Sequence, residues 1–69
     1  MSIAKVVEII GEGKSIEDAI EAAVDEASET IRNIRGVWVD GTQALVKDGK
    51  ISGYRVNCKI TFVVDNKRD

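Results

Sequence analysis

The chain has 69 residues, a formal net charge of -2, one cysteine and no histidine. It can form one small domain that buries roughly 60% of the surface its unfolded form exposes. An internal disulfide is excluded by the lone Cys58, the standard zinc and haem constellations by the missing histidine, and nucleic-acid binding by the lack of a basic patch and the three aromatic residues.

Residues 2–10 are rich in Val and Ile without a breaker, which predicts a strand buried at least partly on both faces. Lys5 and Glu8 interrupt "MSIAKVVEII", so it lacks the continuous apolar stretch of a secretion signal, and nothing in the chain is long enough to span a bilayer. With an unpaired cysteine, these features predict a cytoplasmic protein. "GEG" should end the first strand. Ser15, followed three residues later by Asp18, is a capping signal for a helix over 16–34. Ile16, Ala19, Ile20, Ala23, Ala27, Ile31 and Ile34 recur at helical spacing, and Glu17, Glu21, Asp25 and Glu29 occupy another face. Arg32 and Arg35 suit the helix C-terminus, with Gly36 as its stop.

Two strands follow, over 37–47 and 50–64, around Asp48-Gly49, a strong type I′ turn signal. A two-residue loop places Val46 opposite Ile51, Val39 opposite Cys58, Trp38 opposite Lys59 and Thr42 opposite Arg55. Tyr54, Val56, Cys58, Ile60, Phe62 and Val64 alternate with Arg55, Asn57, Lys59 and Thr61. Val37 and Val39 join the first set, and Trp38, Asp40 and Thr42 the second. The tail "DNKRD" reads as a frayed end. The expected fold is α+β, a single β-α-β-β domain over 1–69 with one amphipathic helix on one face of a three-stranded antiparallel sheet. The other face, carrying Trp38 and Arg55, calls for another subunit or a ligand.

"GEGKS" is similar to the end of a phosphate-binding loop, but the full motif needs glycine where Glu8 stands, so the stretch reads as a turn and N-cap. The acidic helix face reads as solvated, although an oligomer could gather acids from several chains around a cation. Cys58 is in phase with Val56 and Ile60 and reads as a small buried hydrophobe with no histidine to activate it. No catalytic pair stands out, and no enzyme activity is expected. Trp38 reads as an interface anchor or a stacking platform for a flat ligand with Arg55 on the same face; spacing alone favours the interface.

Together, "KVVEIIGEGKSIEDAIEAAVDEASETIRNI" and "GYRVNCKITF" resemble the dodecin family over residues 3–64. The resemblance implies a hollow homododecameric shell that binds or stores flavins (FMN, riboflavin or a breakdown product) without catalysis. In flavin-binding members a tryptophan of the second strand stacks on the ring, and a glutamine of the third bonds its polar edge. Those positions fall on Gly36 and Arg55, with Trp38 two residues, or about 6.6 Å, further along the same face. Gly36 would permit a bulge at this point. The expected ligand site is therefore Trp38, Arg55 and Gly36. The competing expectation is a shell without a flavin site, in which Trp38 and Arg55 serve assembly and divalent metals associate with acidic contacts.

Overall fold

Ser15 fixes where the helix begins. Its side-chain oxygen accepts from the Asp18 N–H and its carbonyl from the Ala19 N–H, both at 3.0 Å. The first bond satisfies a donor at the helix start that has no partner within the helix, and the second is the helix's first backbone bond. In the computed structural model, which describes residues 3–64, this helix is α1 (Ile16–Ser28). Three strands accompany it: β1 (Ile3–Gly13), β2 (Ile34–Lys47) and β3 (Lys50–Val64). The sheet is antiparallel with order β1-β3-β2, so β3 is central and β1 joins its free edge. The chain is thus the expected β-α-β-β domain. Ser2 and the "DNKRD" tail lie outside the described residues.

The helix is shorter than its apolar spacing predicts. It ends at Ser28, capped by Glu29, and the Thr30 and Ile31 N–H groups both return to the Ala27 carbonyl. Asn33 then adopts φ 63°, a left-handed conformation that asparagine tolerates better than most residues. The Val63 N–H donates to the Asn33 carbonyl at 3.1 Å, fixing the reversal against β3. The strand therefore starts at Ile34 rather than 37, Arg32 and Arg35 lie beyond the helix, and Gly36 is a strand residue rather than its stop. Ile31 and Ile34 still pack against the core, from the loop and from β2.

β1 is longer than predicted. "GEG" does not break it; Gly11 pairs with Val56 and Gly13 with Tyr54. A Cβ on Gly11 would collide with the Ala19 carbonyl oxygen and approach the Ala23 Cβ to 3.2 Å. The missing side chain lets the helix backbone lie directly on the strand. The helix answers with a stripe of small residues, Ala19, Ala23 and Ala27, all buried. Val56, Cys58 and Ile60 of β3 complete the core, flanked by half-buried Val7, Ile9, Ile20 and Val37.

The turn forms as its sequence requires, with Asp48 at φ 54° and Gly49 at φ 75°. Val46–Ile51, Val39–Cys58 and Trp38–Lys59 pair as expected. Between them the register departs by one residue. Asp40 and Gly41 together oppose Asn57, and Ser52 is the compensating extra residue on β3. Thr42 consequently pairs with Val56 instead of Arg55, which transfers it to the helix side, and Gln43 takes the place opposite Arg55. A further irregularity at Arg35, just before Gly36, leaves the Trp38 register untouched.

Candidate ligand-binding face

A helix of 13 residues is about 20 Å long, whereas β3, with 15 residues, spans about 50 Å. The helix lies over β1 and β3 and barely reaches β2. Its reach accounts for one face along part of the sheet. The opposite face is composed of Val6, Glu8, Ile10 and Glu12 from β1, Trp38, Asp40 and Gln43 from β2, and Arg55, Asn57, Lys59 and Thr61 from β3.

Trp38 stands on this face with 71% of its surface exposed. It is the most exposed large hydrophobic side chain among the described residues. Its neighbour across the strand, Lys59, is held by Asp40 at 3.2 Å. Arg55 is held by Glu12: its Nε and Nη2 donate to Glu12 Oε2 at 2.8 and 2.7 Å. Gly36 accepts a hydrogen bond on its carbonyl from the Thr61 hydroxyl at 3.2 Å. A Cβ at this glycine would meet the same hydroxyl at 3.4 Å.

The three expected ligand residues share the face but do not converge. Gly36 and Trp38 are near neighbours on β2. Arg55 lies four residues along β3 from the partner of Trp38, about 13 Å away. What gathers around Arg55 is an open cleft of about 390 Å3, lined by Ile10, Gly41, Thr42, Gln43, Arg55 and Asn57. That volume falls in the range of small-ligand sites, while the lining, with Ile10 as its one apolar side chain, is more polar than is usual for them. Gln43 escaped the sequence reading because an uninterrupted register turns it toward the helix. The only available signal was Gly41 within a strand, which marks candidate bulges.

The two cations at the centre of this face, Arg55 and Lys59, are each paired with a carboxylate, so neither is offered free to an anion. Cys58 lies on the other face, buried, with its thiol pKa raised by desolvation. It contributes to packing, and its raised pKa disfavours the nucleophilic thiolate. Among the described residues no group of three or more metal-ligating side chains gathers, and no helix is long and apolar enough to cross a membrane.

Fold and face together define a small one-helix, antiparallel-sheet protein whose second sheet face is left open. The family model described as Dodecin matches residues 3–65, and the chain belongs to the dodecin family. The crystal structure of the tt0972 protein from Thermus thermophilus superposes with a TM-score of 0.90 at 24% identity, covering 97% of this chain and 100% of that one. Dodecin from Streptomyces davaonensis matches with a TM-score of 0.87 at 26% identity, over 94% of this chain and 97% of its own. Dodecin from Streptomyces coelicolor matches with a TM-score of 0.88 at 24% identity, over 96% of each chain. A comparison with curated protein sequences returns no match.

Proposed function

We propose that this chain is a non-enzymatic binding protein that assembles into a homododecameric shell and sequesters a flat flavin-type ligand on the open sheet face. The observation that carries this reading is the exposed Trp38 indole, placed on the same face as a cleft of ligand size. Indole is a large π surface, and burying it against a flat ring removes the apolar area that the single chain leaves in water. The residues present fit a flavin ring in a different arrangement from the family's usual one. Gly36 offers no side chain for stacking, so Trp38 supplies the aromatic plane from two residues further along β2.

The sole tryptophan makes the test direct. Riboflavin is titrated into the assembled protein while Trp38 emission is followed. Stacking at the indole gives saturable quenching at micromolar ligand; no binding at that concentration overturns the reading. A second reading has its own support, because Arg55 and Gly36 are already engaged by Glu12 and Thr61 within one chain. In that case Trp38 and Arg55 are interface residues of a shell without a flavin site, with divalent ions at acidic contacts between chains. An intact large assembly whose tryptophan emission is insensitive to riboflavin favours it.

A further inference from the structure

The cleft's polar side chains are not equally available. Arg55 has committed its Nε and Nη2 to one oxygen of Glu12. Asn57 gives its amide nitrogen to Glu8 Oε2 at 2.7 Å. Thr42 belongs by register to the helix side. Gln43 remains: it sits directly across from Arg55, lines the cleft, and makes no side-chain hydrogen bond among the described residues.

The geometry points to Gln43 as the group that reads the polar edge of the bound ligand, and to that ligand being a neutral heterocycle. This inference rests on the ligand reading above and narrows it. A primary amide presents an acceptor beside two donors, the complement of a ring edge in which an N–H adjoins a C=O. Arginine offers donors only. Ile10 supplies an apolar surface within the same cleft. Charge points the same way. Arg55 and Lys59 are each paired with a carboxylate, and Glu8 adds a further negative group bonded only by the neutral Asn57 amide. A phosphate in the cleft would meet an arginine already held by Glu12 and lie close to the Glu8 carboxylate, so the cleft suits an unphosphorylated amide- or imide-bearing ring.

The test uses riboflavin and riboflavin methylated on its imide nitrogen, with the assembled wild-type chain and Gln43→Met, a change that keeps length and removes the amide. Titration is followed by riboflavin fluorescence, and circular dichroism and light scattering confirm that the variant folds and assembles. Wild-type protein should prefer riboflavin over the methylated ring by about tenfold, the order expected for one hydrogen bond. Gln43→Met should bind riboflavin about tenfold more weakly and no longer distinguish the two rings. Gln43→Glu, which keeps the shape but loses both donors, should weaken riboflavin as well, and it serves as the second variant if Gln43→Met does not assemble. Unchanged affinity in these variants, or a methyl penalty that survives them, overturns the assignment of Gln43 while leaving the ligand reading standing. Wild-type protein that binds neither ring overturns the ligand reading itself, and this assignment with it.

Discussion

Cys58 shows how far burial controls the chemistry of a single side chain. The thiol lies in the core between Val56 and Ile60, and desolvation raises its pKa above the ordinary 9.0. Burial penalises the thiolate, so the folded chain holds this proton more tightly than the unfolded one. The sign follows: the stabilisation is fully present below the unfolded pKa and is lost as pH rises through the folded one. Urea unfolding at pH 7 and pH 10 should therefore show a larger alkaline loss of stability for the wild type than for Cys58→Ala. Comparing the two proteins isolates the contribution of the thiol. The native thiol should resist a disulfide reagent at pH 7 and react promptly in urea. Equal alkaline losses, or rapid labelling of the native chain, would show that the site is open to water. This residue was legible from its alternation with Val56 and Ile60, because period-two burial is set locally.

At the scale of elements, the sequence carried the order of strands and helix and concealed how they meet. The hairpin turn was readable from two residues, since Asp48-Gly49 satisfies a local backbone demand. Glycines 11 and 13 read as a break because their use depends on the helix folding back onto β1, a packing contact that residue type alone does not reveal. The end of α1 was masked in a similar way. Ile31 and Ile34 keep helical spacing while packing on the core from a loop and a strand. The bulge at Asp40–Gly41 leaves no periodic trace beyond a single glycine, yet it moves Thr42 off the open face and puts Gln43 on it. Gly41 holds φ at 133°, a region that L side chains rarely adopt, with nothing within 4 Å of an added Cβ. Gly41→Val therefore tests backbone strain without a steric clash. It should destabilise the chain by about 1–3 kcal/mol, read as a lower urea midpoint at unchanged slope. It should also weaken riboflavin binding, because the bulge shapes the cleft. Wild-type stability in this variant would mean that the strand relaxes to an ordinary β conformation at little cost.

Across the whole molecule, the single chain is elongated, 59 × 19 × 13 Å, and thinly filled. Its fully buried apolar set is three alanines with Val56, Cys58 and Ile60. Large apolar side chains stand in water along its length: Val6 and Ile10 on one edge strand of the open face, Trp38 on the other, and the cross-strand pair Val46–Ile51 at the hairpin tip, 66% and 61% exposed. The charged groups are distributed differently, with the acidic side of the helix turned outward and the ion pairs of the open face satisfied within the chain. A face whose central ion pairs are satisfied within the chain while its indole and aliphatic groups stand in water is better suited to self-association than to solution as a monomer. The proposed shell of twelve 7.5 kDa chains would have a mass of about 90 kDa by light scattering. Because subunit contacts would stabilise the folded chain by mass action, its melting temperature should rise with protein concentration. Trp38 emission should be blue-shifted in the assembly and move to the red as dilution or mild denaturant releases subunits. Trp38→Ala should raise the protein concentration needed to keep the assembly intact, in keeping with the disproportionate share of interface energy that buried aromatics carry. A monomeric mass with a concentration-independent melting temperature would remove the assembly, and the role assigned to the exposed indole would have to be met by ligand alone.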